Sequence, residues 1–271
     1  SWRGLSAAKQ AMSRVEALLA HHPAPSTTTS REPARGRLTL KGVNADAPGP
    51  ARSRILHEIT LTFEPGTVTT VLGPSGAGKS TFFKQLTGQL RPSSGQVLFR
   101  GQDITGCQPH VPARLGIGIK TQVPSLFNGL SVWENVWLSA CRVYPKAKAL
   151  EVTRDTLERV GLSSLQKSTT GLLAHGQRQW VELAVVIAAD PSLILLDEPA
   201  AGMSDQEVRR TADLILEINK SHALIVVEHD MSFINTISDI VTVLCDGAVL
   251  AQGSLAQVQA DARVIDVYLG R

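Results

Sequence analysis

The spacing of apolar and polar residues changes from a helical to a strand period early in the chain. Between Trp2 and Leu18, apolar residues recur every three to four positions, which predicts an amphipathic helix over residues 2–20. Residues 21–37 are rich in Pro, Ser, Thr and Arg and poor in apolar side chains, so we expect a linker there. The packed domain is therefore expected to begin near Arg37.

Beyond Arg37 the pattern predicts first strands and then an alternation of helices and strands. Strands are predicted over residues 38–43, 59–63, 67–72 and 96–99, between turns that carry Gly or Pro. Ser131 and Glu134 fit a capping box at the start of a helix that runs to Ala140. Further helices are predicted over residues 81–90, 147–160, 176–189 and 205–219, and strands over 193–196, 223–227 and 240–244. Such alternation is typical of a parallel sheet covered by helices.

Composition narrows the class of protein. With 271 residues and 43% apolar content, the chain suits one α/β domain with attachments. Its longest apolar runs are strand-sized, so we do not expect it to span a bilayer. Residues 1–20 mix charges into the apolar positions, which is unlike an export signal. The three cysteines are odd in number and far apart, which predicts reduced thiols and no metal knuckle.

A glycine-rich phosphate-loop pattern lies between a predicted strand and a predicted helix. With the residue that follows it, the loop reads Gly73, Pro74, Ser75, Gly76, Ala77, Gly78, Lys79, Ser80 and Thr81. Glycines let successive backbone N–H groups curl around phosphates, while the lysine reaches the outer oxygens and the serine offers a hydroxyl to Mg²⁺. The positive end of the following helix also faces the anion. These features predict a nucleoside triphosphate at this loop.

Two carboxylates, Asp197 and Glu198, follow a predicted apolar strand. Ligands gather at the carboxyl ends of strands in sheets of this kind. An isolated Asp-Glu pair would normally be an ordinary turn, but a phosphate loop in the same chain favours a catalytic pair. We expect Asp197 to hold the Mg²⁺ that Ser80 also contacts, and Glu198 to accept the proton of the attacking water.

Three further segments make the chain resemble the ATP-binding subunit of an ABC transporter. Gln122 matches the family's glutamine loop, which senses Mg²⁺ and couples to the membrane partner. His229 matches the switch histidine that contacts the γ-phosphate. The place of the signature motif is occupied by Ala174, His175, Gly176 and Gln177. The resemblance thus implies that ATP and Mg²⁺ are bound, that Lys79, Gln122, Glu198 and His229 are catalytic, and that Ser80, Gln122 and Asp197 contact the metal.

The resemblance also implies the fold and the assembly. The expected fold is α/β, a P-loop NTPase of the ABC type with a RecA-like core, an antiparallel β subdomain and a helical subdomain at about residues 123–178. The ATP-binding domain is expected over residues 37–271, after an N-terminal helix and linker over residues 1–36. Because the signature helix is expected on a different face from the phosphate loop, two copies would pair head to tail around ATP. Expected partners are a second ATP-binding subunit, identical or different, and membrane permease subunits, with no nucleic acid. The expected location is peripheral, at the cytoplasmic face of the inner or plasma membrane.

Residues from about 55 onward most resemble the importers of branched-chain amino acids, urea and short amides, with the urea branch the closer match. The similarity lies in residues 116–118, which lead to Gln122, and in residues 125–127, 130–135, 175–180 and 264–271. Residues 1 to about 54 instead look like the segment that joins membrane helices to the ATPase in type I secretion exporters. An exporter without its membrane part, a natural recombinant and a fusion all remain open.

The implied function is to power import of a small polar solute through a separate permease. The alternatives are the ATPase portion of a type I secretion exporter and an ATP-driven clamp without transport. A kinase would share only the phosphate loop and would leave Gln177 and His229 unexplained.

The sequence departs from the family pattern at three places. Ala174 stands where the signature usually has a serine, so contact with the γ-phosphate in trans would rest on backbone N–H groups. Residues 52–54, Arg-Ser-Arg, stand where an aromatic usually stacks on adenine, and an arginine could substitute by a cation–π contact. Ser204 stands where an aspartate is common. Lys120 is expected to be a solvated charge.

Overall fold

The computed structural model describes residues 36–47, 53–122 and 125–269, with the side chains of 268 and 269 left aside. The described residues form two compact units, one of residues 125–190 and one of the remainder. We call the first the helical unit and the second the sheet unit. The helix predicted over residues 2–20, most of the linker and Arg52 lie outside the described residues.

The elements are numbered in chain order. The strands are β1 (Leu38–Asp46), β2 (Arg54–Phe63), β3 (Val68–Leu72), β4 (Ser94–Phe99), β5 (Gln102–Asp103), β6 (Ile117–Lys120), β7 (Leu193–Asp197), β8 (Ala223–Val227), β9 (Ile240–Cys245) and β10 (Ala248–Gly253). The helices are α1 (Lys79–Leu86), α2 (His110–Leu115), α3 (Val132–Ala140), α4 (Lys146–Arg159), α5 (His175–Ala188), α6 (Asp205–Asn219), α7 (Met231–Ile237), α8 (Leu255–Ala260) and α9 (Ala262–Leu269).

The larger sheet of the sheet unit has six strands in the order β10-β9-β3-β8-β7-β6. All neighbouring strands are parallel except β10, which pairs antiparallel with β9. Every residue of β3 and β8 is buried, as expected for central parallel strands that are covered on both faces. The predicted parallel sheet is therefore confirmed, and all of its parallel strands end at one edge.

The smaller sheet is antiparallel, in the order β2-β1-β4-β5. Leu38 of β1 lies opposite Phe63 of β2 and Phe99 of β4, so the apolar side chains of three strands meet on one face. That face shares a core with the parallel sheet and α1, in which the rings of Phe63 and Phe82 are tilted with centroids 6.2 Å apart. Alternation of buried and exposed residues in β2 gives this sheet its solvent face.

The helical unit consists mainly of α3, α4 and α5. The predicted capping box at α3 is confirmed, because Ser131 Oγ accepts from the Glu134 N–H at 3.2 Å while the Glu134 carboxylate accepts from the Ser131 N–H at 2.7 Å. Val136, Leu157 and Val181 are among the buried residues of the three helices. The unit ends at Asp190, beyond the expected end of the helical subdomain near 178, because α5 packs with α3 and α4.

The pattern did not predict every element. The short strand β5, the strands β6 and β10 and the short helices α2, α7, α8 and α9 were missed. Most of these are six residues or fewer, too short for a period to emerge. Among the described residues no helix is both long enough and apolar enough to span a membrane.

Candidate nucleotide site

Four segments with polar side chains follow four adjacent parallel strands of the sheet unit. The phosphate loop follows β3, His229 follows β8, Glu198 follows β7 and Gln122 follows β6, in the spatial order of the strands. Because the carboxyl ends of parallel strands meet at one edge, these residues converge there. The sheet topology thus brings together residues that are up to 156 positions apart, from Gly73 to His229.

The phosphate loop depends on glycine at two positions where a side chain has no room. A Cβ on Gly73 would lie 2.1 Å from the carbonyl oxygen of Leu244, which belongs to the neighbouring strand β9. Gly78 has φ +92°, in the left-handed region, and immediately precedes α1. The chain therefore turns sharply at Gly78 so that the first N–H groups of α1 face the loop, as an anion site requires.

The Lys79 ammonium closes the loop on itself. Its Nζ donates to the carbonyl oxygens of Gly73 and Pro74 at 2.7 and 2.9 Å. Burial lowers the pKa of Lys79, and the carboxylates of Glu198 and Asp197 act in the opposite direction. The Lys79 ammonium is thus held against the backbone of the loop and interacts electrostatically with the Asp197 and Glu198 carboxylates.

Glu198 lies between Gln122 and His229. The Gln122 side chain donates from Nε2 to Glu198 Oε2 at 3.0 Å. On the other side, His229 Nδ1 lies 3.6 Å from Glu198 Oε1, and the ring is 69% exposed. Glu198 also has φ +45°. Such a value is uncommon for a residue with a side chain, and where it occurs it is often at a functional site. Three of the predicted site residues are therefore in one constellation.

The Asp197 carboxylate is more buried than a surface carboxylate and has other negative charges close to it. Burial raises its pKa, and the charges of Glu198 and Glu228 act in the same direction. Lys120 and Lys79 oppose this rise. Lys120 is 2% exposed and lies opposite Leu196 in the β6–β7 register. The expectation that Lys120 is a solvated charge is therefore wrong, because the strand in which it lies was not predicted.

The donors at this edge suit a magnesium ion that is bound together with a nucleotide. Among the described residues no group of three or more His, Cys, Asp or Glu side chains could hold a metal ion. Mg²⁺ is usually bound by one or two carboxylates together with substrate phosphates and water. A single carboxylate, Asp197, with a hydroxyl on Ser80 fits that chemistry. Cys107, Cys141 and Cys245 form no disulfide in the structure.

The signature residues lie in the helical unit, at the start of α5. Ala174 is the N-cap residue, with extended backbone at φ −61° and ψ 158°, and the helix begins at His175 rather than at Gly176. Ala174 has no side-chain acceptor, so only the Gln177 side chain contributes to the cap, with Oε1 accepting from the Ala174 N–H at 3.2 Å. His175 is exposed and Gly176 is buried.

Two of the departures from the family pattern have local explanations. The Arg54 guanidinium pairs with Asp46 across the β1–β2 ladder, with 3.3 Å between Nε and Oδ1. Ser204 is the N-cap of α6, where its hydroxyl and its backbone N–H both donate to the Glu207 carboxylate. Arg54 is therefore already engaged by a carboxylate, and Ser204 has a structural role.

Comparison with known protein families decides the identity. The family model described as "ABC transporter" matches residues 56–201, which is more than half of the chain. The chain belongs to the ABC transporter ATP-binding family. It is thus an ATP-binding subunit and an ATPase, with the fold of a P-loop NTPase, which confirms the predicted family, fold class and activity. A second model, described as a branched-chain amino acid ATP-binding cassette transporter, matches residues 248–271.

Individual relatives cover most of this ABC subunit. It is 30% identical over 233 residues to LivG of Escherichia coli K12, a high-affinity branched-chain amino acid transport ATP-binding protein, with 79% of this chain and 91% of LivG covered. It is 32% identical over 222 residues to LptB of Acidithiobacillus ferridurans, a lipopolysaccharide export ATP-binding protein, with 81% and 92% covered. Among solved structures it resembles cbiO1 of Clostridium perfringens, part of the transporter complex cbiONQ, at a TM-score of 0.76 and 30% identity, with 88% of this chain and 97% of that one covered.

Proposed function

We propose that this subunit hydrolyses ATP at the edge formed by the phosphate loop, Asp197, Glu198 and His229, and thereby powers uptake of a small polar solute through a separate permease. The observation that carries the proposed site is the position of the Glu198 carboxylate between Gln122 and His229. Residues from four adjacent strand ends contribute to this single cluster, as a nucleotide site at a parallel sheet requires.

In the proposed reaction Glu198 is the general base. It accepts the proton of a water molecule that attacks the γ-phosphate, and ADP leaves with its β-phosphate in the loop. Gln122 holds the carboxylate by its 3.0 Å hydrogen bond to Oε2, so Oε1, on the side of His229, is the oxygen that would face the water. His229, beside that second oxygen, donates to the γ-phosphate as charge accumulates there.

Phosphate binding is assigned to Gly73–Thr81 and metal binding to Ser80, Gln122 and Asp197. Lys79 would exchange its two carbonyl partners for phosphate oxygens when ATP enters, because a phosphate is a stronger partner for an ammonium than a neutral carbonyl. The Mg²⁺ would neutralise charge on the β- and γ-phosphates. Ser80 is exposed at the start of α1, where its hydroxyl is accessible to such an ion.

We further propose that the start of α5 binds the γ-phosphate of ATP held by a second subunit. Backbone N–H groups at this end have no intrahelical partner and carry the positive end of the helix dipole. Ala174, His175, Gly176 and Gln177 would form this contact, with Ala174 contributing only main chain. The subunit would accordingly work as a dimer, peripherally on membrane permease subunits at the cytoplasmic face.

The proposed cargo is a branched-chain amino acid, urea or a short amide. Support comes from the similarity to LivG and from the match of residues 248–271 to a branched-chain amino acid transporter model. Export is the second candidate, because the similarity to LptB is of the same size. Copurification with a permease and a solute-binding protein, and ATP-dependent leucine or urea uptake by that complex in vesicles, would support import. Copurification with an export complex would refute it.

The role of Glu198 is tested by Glu198→Gln, which keeps the shape of the side chain and removes the base. We expect ATP hydrolysis to fall by at least about 100-fold, the usual scale for loss of a general base, while ATP still binds. Lys79→Ala is the contrasting variant, because it should lose ATP binding itself. Undiminished turnover in Glu198→Gln would remove Glu198 from the role of base.

A further inference from the structure

Glu228 is a buried carboxylate at the site that the proposed reaction does not use. It follows β8 directly and is 2% exposed. Because β8 lies between β3 and β7, Glu228 emerges between the strand of the phosphate loop and the strand that ends in Asp197. A carboxylate is costly to bury unless hydrogen bonds compensate it, so its partners indicate what it does.

The hydrogen bonds of Glu228 reach three segments of the site. Its Oε2 accepts from the His229 N–H at 3.0 Å. Its Oε1 accepts from the Ala200 N–H at 3.3 Å, in the turn that follows Glu198. Its own N–H donates to the Val71 carbonyl oxygen of β3 at 3.3 Å. One residue therefore joins the histidine loop, the turn after the proposed base and the strand that leads to the phosphate loop.

The two hydrogen bonds that the Glu228 side chain accepts hold the segments that carry His229 and Glu198. The His229 ring lies between two carboxylates, with Nδ1 3.7 Å from Glu228 Oε2 and 3.6 Å from Glu198 Oε1. Hydrogen bonds from backbone N–H groups to a carboxylate are stronger than those to neutral acceptors. Loss of either bond would therefore remove the side-chain link between the His229 loop and the turn after Glu198 and leave the backbone bond from the Glu198 N–H to the Val227 carbonyl oxygen at 2.9 Å.

We propose that Glu228 is a positioning residue that fixes His229 and Glu198 relative to each other. This inference rests on the proposed function, because Glu228 would act through His229 and Glu198, which that function makes catalytic. Its negative charge also raises the pKa of Asp197, in agreement with its place beside the acidic strand end.

The first test is Glu228→Gln, in which one carboxylate oxygen becomes an amide nitrogen that cannot accept a hydrogen bond. We expect kcat to fall about tenfold, the scale of one hydrogen bond to a charged group, with KM for ATP within about twofold of the unchanged protein. Asp239→Asn is the matched control. Asp239 Oδ2 accepts from the Val68 N–H at 2.8 Å, at the amino end of β3, so its loss should leave kcat unchanged.

The second test separates positioning from a general loss of stability. In a double-mutant cycle, Glu228→Gln should add little to His229→Ala, because the histidine through which Glu228 acts is already absent. If the fold-decreases in kcat of the two single variants multiply in the double variant, the inference is overturned. Hydrogen exchange at the His229 and Ala200 amides should be faster in Glu228→Gln, and unchanged exchange at both would also overturn it.

The outcomes distinguish this inference from the function on which it rests. Full turnover in Glu198→Gln would refute the proposed site, whereas a normal Glu228→Gln beside an impaired Glu198→Gln would refute only the role of Glu228. If Glu228→Gln does not fold, Glu228→Asp replaces it. That variant keeps the charge but is one methylene shorter, so it must lose at least one of the two bonds, and an unchanged kcat would contradict the inference.

Discussion

Substitution of Gly247 offers a sharp test of how the phosphate loop is held. Gly247 lies in the turn between β9 and β10, where its N–H donates to the Ala77 carbonyl at 3.3 Å and its carbonyl accepts from the His57 N–H at 2.8 Å. The turn therefore links the phosphate loop to β2. Gly247 has φ +75°, and a Cβ there would lie 1.9 Å from the Ile55 carbonyl oxygen.

Two costs follow for Gly247→Ala. The left-handed backbone costs a residue with a Cβ about 1–2 kcal/mol. The clash with a backbone oxygen forces a shift of about 1 Å before contact is tolerable, and overpacking of this kind costs about 1–3 kcal/mol more. Gly66 is the matched control, since its φ is +74° and a Cβ there would meet nothing within 4 Å. Gly66→Ala should therefore incur the first cost alone.

The measurements are thermal unfolding and ATP binding. At about 2–4 °C per kcal/mol for a domain of this size, the midpoint of Gly247→Ala should lie several degrees below that of Gly66→Ala. ATP affinity should also fall in Gly247→Ala, because Ala77 moves with the turn, and stay unchanged in Gly66→Ala. Equal midpoints and equal ATP affinities in the two variants would refute the link between the turn and the phosphate loop.

The remaining predictions concern α5 and the acidic strand end. Ala174→Ser should stabilise the protein by about 1 kcal/mol in urea unfolding, because a serine Oγ could accept a hydrogen bond from an N–H at the start of α5. Ser131→Ala removes such a bond at α3 and should cost a similar amount. An Ala174→Ser variant that is no more stable than the starting protein would contradict this prediction. Burial raises the pKa of Asp197, so the ionised form is penalised in the folded state. This loss of stability is absent at pH values below the pKa that the Asp197 carboxyl has in the unfolded chain. It grows as pH rises from there through the raised pKa of the folded protein. Asp197→Asn should therefore raise stability at neutral pH without Mg²⁺, and the gain should vanish in acid. A midpoint at neutral pH that is equal to or below that of the unchanged protein would count against this prediction.

Local patterns predicted the long elements well. The helix over residues 205–219 and the strand over 223–227 were predicted at the bounds that the structure has. Their signals are complete within a few residues, because a cap, a period and a buried apolar run are local. The strand β6 was missed because it has only four residues, and one of them, Gly118, contributes no apolar side chain to the pattern. With β6 unrecognised, Lys120 was interpreted as a surface charge.

The sequence by itself determined the phosphate loop and the strand followed by two carboxylates, because each depends on residue types at fixed short spacings. It also indicated the family, because several such short motifs follow one another in the family's order along the chain. Only the tertiary structure decided that β8 lies between β3 and β7. That order places His229 beside Glu198 and buries Glu228 next to both. On the other side of β3, the pairing with β9 brings the Gly247 turn onto Ala77. Strand order follows from how distant segments pair and bury one another, so no local spacing encodes it.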